Sequence, residues 1–161
     1  MLSQTVTSDD EIERLYREQG GKLWRAVLAL SGDREVASDA VAEAYAQMLR
    51  RGEAVREPSK WVWMAAFRIA AGELADRRRR GGVAQRKEET YEMAERAEEL
   101  IGLLSRLSPN QRASVVLHHY AGYPVKEIAE IIGSTGPAVR VHLSRGCKRL
   151  RELLAVGGTD A

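Results

Sequence analysis

The sequence predicts an all-α protein, and three observations carry that prediction. Apolar residues recur at helical spacing nearly everywhere, and the apolar–polar alternation of β-strands is almost absent. Capping signals recur along the 161 residues: Ser8-Asp9-Asp10-Glu11, Asp33, Ser108-Pro109-Asn110-Gln111 and Thr135. Aromatic residues make up only 6% of a chain that is 44% hydrophobic, so Leu, Ile, Val and Ala must fill the core.

The first helix opens at the Ser8 capping box and runs to about Leu30, with Ile12, Leu15, Leu23, Val27 and Leu30 on its core side. Ser31-Gly32-Asp33 forms a turn, and Asp33 caps a second helix reaching about Arg51. Val36, Ala40, Ala44 and Met48 form its apolar face. Asp39, Glu43, Gln47 and Arg50 follow at i, i+4, i+8 and i+11 and make a polar ridge beside the small Ala42 and Ala46. Periodicity alone leaves two readings of that ridge, a solvated face and a docking face.

Residues 52–57 read as a loop, and Pro58 starts a third helix that runs to about Arg80. It holds Trp61, Trp63 and Phe67 within seven residues and ends in Arg77-Arg78-Arg79-Arg80. On a helical wheel the two tryptophans lie about 200° apart, so one is expected in the core and the other towards solvent. Aromatic rings beside guanidinium groups suit unpaired bases, which stack on rings while cations hold the phosphates. Packing between helices is the alternative for each ring.

Gly81-Gly82 breaks this helix, and a polar, charged tether follows. Two helical modules are therefore expected, 8–80 and 95–155, joined by a linker over 81–94. Leu100, Leu103, Leu104 and Leu107 open the second module. Ser108 is the N-cap of the next helix, with Pro109 at its first position and Gln111 at its third, and Gly122-Tyr123-Pro124 ends it. A short helix, Val125–Ile132, carries Ile128, Ile131 and Ile132 on one stripe. Gly133-Ser134-Thr135 then turns the chain into a last helix reaching about Leu154.

That last helix places Val139, Leu143, Cys147, Leu150 and Leu154 on one side. Arg145 and Lys148 lie opposite, Arg140 and Arg149 flank them, and Val141 and Ser144 fill the space between. A helix held from behind by its apolar stripe, with a basic front, is the geometry of a recognition helix entering a DNA major groove. Formal net charge is only +2, so no global charge signals a polyanion partner. The charge is segregated instead. The runs around Arg77–Lys87 and Arg140–Arg151 are basic, whereas Glu88, Glu89, Glu92, Glu95, Glu98 and Glu99 between them are acidic.

Cys147 is the single cysteine, which excludes an internal disulfide and a Cys-based zinc site. Neither a long apolar run nor a secretory leader pattern is present, which points to a protein that stays in a reducing cytoplasm without membrane insertion. His118-His119, Glu127 and His142 are the residues that could suggest a metal. Adjacent histidines on a helix diverge by about 100° and no HExxH spacing occurs, so neither a metal, a cofactor nor a catalytic residue is expected.

The ordered motifs resemble a known family. Residues Asp33–Tyr45 resemble region 2.2 of the sigma-70 family of RNA polymerase sigma factors, and Trp61–Ala70 resemble regions 2.3 and 2.4. Leu104–Arg112 and Glu127–Leu150 resemble region 4. Length and order are similar to the short extracytoplasmic-function (ECF, group 4) type. The resemblance implies a transcription initiation factor, not an enzyme. Its region 2 would dock through Asp39, Glu43, Gln47 and Arg50 on the clamp coiled-coil of the largest polymerase subunit. Trp61, Trp63, Phe67, Arg68, Arg77 and Arg78 would hold the melted strand of the −10 element. Thr135, Arg140, Val141, Ser144, Arg145, Lys148 and Arg149 would bind the −35 element, with Arg140, Val141, Ser144 and Arg145 at base edges and Lys148 and Arg149 at phosphates. The polymerase β flap would be a second docking point, and the family admits an anti-sigma factor as a further partner. A stand-alone helix-turn-helix regulator is the rival reading. It accounts for residues 108–154 but leaves the polar ridge and the aromatic-basic helix without a role.

Overall fold

The computed structural model describes residues 9–52, 55–81 and 94–157, the side chains of residues 94 and 95 excepted. The expected linker over 81–94, including Arg86, Lys87 and Glu88, falls almost wholly outside the described residues, as does Ser8 of the first capping box. Seven α-helices follow one another, with no strand among the described residues: α1 Asp9–Ser31, α2 Arg34–Arg51, α3 Pro58–Arg79, α4 Ala94–Leu104, α5 Pro109–Val115, α6 Val125–Ile132 and α7 Gly136–Gly157. A π-helical turn, Val116–Tyr120, prolongs α5.

Local chemistry places the boundaries. The Asp33 carboxylate accepts from the Glu35 and Val36 backbone N–H groups at 2.8 and 3.2 Å and caps α2. Ser108 and Gln111 form the reciprocal pair of a capping box at 3.3 and 3.2 Å, ahead of Pro109. Gly133 closes α6 with φ 67°, a left-handed backbone that favours glycine. The Thr135 hydroxyl then accepts from the Ala138 N–H at 3.3 Å and starts α7.

α1, α2 and α3 pack on one another around Leu23, Val27, Val36, Ala40, Ala44, Met48, Val62 and Ala66, all buried. α5, α6 and α7 pack around Leu117, Ile128, Ile131 and Val139. Gly146, buried on α7, lets that helix approach α5: a Cβ there would stand 2.9 Å from a Val115 methyl. Leu154, expected on the core side of α7, is 58% exposed instead, because the helix runs past the end of the element it packs on.

The two groups of helices also pack against each other. α6 lies along α3, and α4 and the π-turn lie along α1. The Arg112 guanidinium is buried in this seam. It donates to the carbonyls of Leu104 at 3.0 Å, Leu107 at 3.2 Å and, across the seam, Leu30 at the end of α1. Burial pushes its pKa down, and nearby Arg78 adds to that. Three carbonyl dipoles, those of Leu30 and Leu104 at helix C-termini, are what satisfy the buried cation.

Candidate nucleic-acid interface

The helix-turn-helix is built so that α7 has a fixed back and a free front. Val139 and Gly146 are buried, and Leu143, Cys147 and Leu150 are half-buried against the rest of the group. Arg140, Val141, Ser144, Arg145, Lys148 and Arg149 are all exposed, as is the cap residue Thr135. Val141 leaves an apolar side chain 44% exposed between arginines, the kind of surface that meets a thymine methyl in a major groove. Arg149 makes only a long pair with Glu152, 3.8 Å, on the exposed surface. These are the side chains that the sequence assigned to the basic front.

One basic residue escapes the periodicity. Arg106 stands in the turn between α4 and α5, and it lines a shallow cleft with Gln111 and with Arg145, Lys148 and Arg149 of α7. Sequence spacing carries no signal for it, because only the packing of α5 on α7 brings residue 106 beside residue 149.

On α3 the two tryptophans part as the wheel expects. Trp61 is half-exposed, with the Arg51 guanidinium 5.7 Å from its ring centre. Trp63 is 2% exposed, stacked at 6.1 Å on the equally buried Phe67 and edge-on at 5.6 Å to Tyr123 from the loop before α6. In this arrangement Trp63 and Phe67 are therefore not presented to a strand. Arg68 and Arg78 are exposed at the rim of a groove of about 200 Å³ whose walls include Phe67, Leu74, Ile131 and Ile132. Arg77 is committed within the α1–α3 group: it donates to Asp33 at 2.8 Å and to Glu73 at 3.2 Å. Its proximity, with the capping N–H groups, holds the Asp33 carboxyl below the usual range despite burial, which pushes the other way.

The polar ridge of α2 faces outward. Asp39, Glu43 and Arg50 are exposed and Gln47 is half-exposed. Glu43 accepts from Gln47 at 3.2 Å and from Arg50 at 2.9 Å, so these three residues of the ridge form an ordered ladder. The same two donors hold the Glu43 carboxyl below its ordinary value. Among the described residues no His, Cys, Asp or Glu grouping could hold a metal ion, and no helix is long and apolar enough to cross a membrane. His119 sits 3.5 Å from the Cys147 sulfur without a third ligand group nearby.

Residues 97–150 match the family model of sigma-70 region 4. Over that segment the chain is similar to the sigma-70 family. It is 26% identical over 159 residues to the ECF RNA polymerase sigma factor SigE of Mycolicibacterium smegmatis, a match covering 89% of this chain and 61% of that protein. The chain thus spans about three fifths of the length of that curated relative. Two solved structures share the fold. The sigma factor RpoE of Bartonella quintana, in complex with the anti-sigma factor NepR, superposes with a TM-score of 0.77 at 20% identity, covering 92% of this chain and 99% of that one. The extracytoplasmic-function sigma factor SigJ of Mycobacterium tuberculosis gives 0.62 at 24% identity, covering 89% and 54%.

Proposed function

We propose that this chain is a sigma-70 family transcription initiation factor that binds core RNA polymerase and directs it to promoters through −10 and −35 elements. The observation that carries the reading is the free basic front of α7, held from behind inside the residues that match sigma-70 region 4. In this reading Arg140, Val141, Ser144 and Arg145 meet base edges. Lys148, Arg149 and Arg106 hold phosphates on either side of the cleft they line. The ridge from Asp39 to Arg50 docks on the polymerase clamp, and α3 receives the melted −10 strand through Trp61, Arg68 and Arg78, with Trp63 and Phe67 buried behind them. Binding a strand that is already open avoids the unstacking cost that a duplex would impose. Arg77 serves that surface by fixing α3 to the cap of α2 rather than by touching DNA. A stand-alone regulator would need only α5 to α7, and would leave the ordered ladder of α2 without a task.

Run-off transcription with purified core polymerase tests the proposal. Start sites that appear only when the protein is added are the expected result. Identical start sites with and without it would overturn the reading.

A further inference from the structure

We infer that Val141 sets specificity on the front of α7 by reading the C5 methyl group of a thymine, so that the duplex this chain prefers depends on a methyl group as well as on hydrogen bonds. The inference rests on the role proposed for α7 and names one base that the helix reads. Three large apolar side chains stand exposed on α7: Val141, Leu154 and Val156. Leu154 and Val156 lie near its C-terminal end, whereas a recognition helix meets base edges through its N-terminal residues. Val141 stands in the second turn of Gly136–Gly157 and is 44% exposed. It shares its face with Ser144, Arg145 and Lys148, which are exposed too. The buried Val139 lies about 200° round the helix from it, so core packing does not account for a valine at 141.

Valine offers two methyl groups and no hydrogen bond. On the major-groove edge of a base pair the one apolar feature is the thymine methyl. The other features are donors and acceptors, which a valine would cover without pairing. A β-branched side chain in a helix keeps essentially one rotamer, so the methyl groups of Val141 are already in place and little freedom is lost on contact. Arg145 follows four residues on, about 6 Å along the helix axis, a length of about two base-pair steps. A guanine read by that guanidinium therefore stands within about two steps of the thymine. One consequence reaches beyond sequence. The methyl group of 5-methylcytosine occupies the same ring position as that of thymine, so methylation of a cytosine at that step strengthens binding.

The front of α7 is exposed in the chain as it stands, so the experiment uses the full chain without polymerase. A random pool of short duplexes is enriched for binding to the wild type, and the winning duplex is resynthesised with single-base changes. It should hold a thymine with a guanine within about two steps. Deoxyuridine, placed at each thymine in turn, removes the methyl group alone. At one position it should weaken wild-type binding about fourfold, the worth of one buried methyl group. Cytosine at that position, with guanine opposite, should bind about fourfold more tightly when methylated at C5. Both ratios should fall to unity in Val141→Ser, with helix content unchanged by circular dichroism because the residue is exposed. Arg145→Ala should weaken binding and relax the guanine preference while the deoxyuridine ratio stays near fourfold. A pool that enriches no thymine, or a wild-type deoxyuridine ratio of unity at every thymine, would overturn the inference. A ratio that survives in Val141→Ser would also overturn it, because the methyl group would then rest against another side chain. Polymerase takes no part, so a failure to read the methyl group is distinct from a failure to direct run-off start sites.

Discussion

Asp33 shows how much one side chain decides. Its carboxylate caps α2 through two backbone N–H groups and receives the Arg77 guanidinium from the far end of α3, so it ties together two helices that are 44 residues apart at their contact. Replacing a capping carboxylate by alanine costs about 1–2 kcal/mol, and here a partly buried ion pair goes with it. Asp33→Ala is expected to lose about 2 kcal/mol in urea unfolding at neutral pH, and Asp33→Asn less, because asparagine still caps. The pH dependence has a definite sign. The folded carboxyl titrates below its ordinary value, so its stabilisation is complete above the unfolded pKa near 3.8 and fades as pH falls through the lower folded value. The gap between wild type and Asp33→Asn should therefore close as pH falls below the unfolded value near 3.8; a gap that held constant through acid titration would show that the carboxylate's charge contributes nothing. The capping role was legible in Ser31-Gly32-Asp33. The Arg77 partner was not, because a terminal arginine run reads as a basic patch and nothing local marks the one member that turns inward.

At the level of elements, spacing and caps predicted α5, α6 and α7, where Ser108 with Gln111 opens α5, Gly133 closes α6 and Thr135 opens α7. Spacing failed where contact between elements decides. Gly146 reads as a weak point in a helix, yet it is the position where α7 meets α5, with a Val115 methyl 2.9 Å from where a Cβ would be. Gly146→Ala gains up to about 1 kcal/mol of helix propensity. The valine is β-branched and cannot swing aside, so overpacking costs about 1–3 kcal/mol and wins. A melting temperature lower by several degrees is expected, and a rise would mean that α5 and α7 slide apart at little cost. The α2 ladder makes the opposite prediction. Its charges are exposed and contribute little to folding, so Asp39→Lys with Glu43→Lys should leave the unfolding midpoint within a degree or two. The same variant should lose most of its co-elution with core polymerase. Retained co-elution would make the ladder a solvated face.

For the whole molecule, the arrangement of the two helix groups is the feature that the sequence least reveals. Expecting two modules and a tether implied two surfaces free to move apart, and no local pattern links Lys60 to Glu130, Trp63 to Tyr123 or Leu30 to Arg112. Each of those pairs joins residues whose own neighbourhoods read as ordinary helix, and the apolar share of the seam looks like core for either group alone. The consequence is thermodynamic. Two modules tethered loosely unfold in separate transitions, whereas modules that share buried surface and a buried guanidinium lend each other stability and unfold together. Arg112 makes the coupling sharp: if the α1–α3 group melted first, the Leu30 carbonyl would go and the cation would keep only the Leu104 and Leu107 carbonyls. Wild type is therefore expected to give one calorimetric transition, with calorimetric and van't Hoff enthalpies that agree. Tyr123→Ala with Glu130→Lys should split it into two, the lower one belonging to whichever group loses more by separation. Two transitions already present in the wild type would show that the seam carries too little energy to couple the two groups.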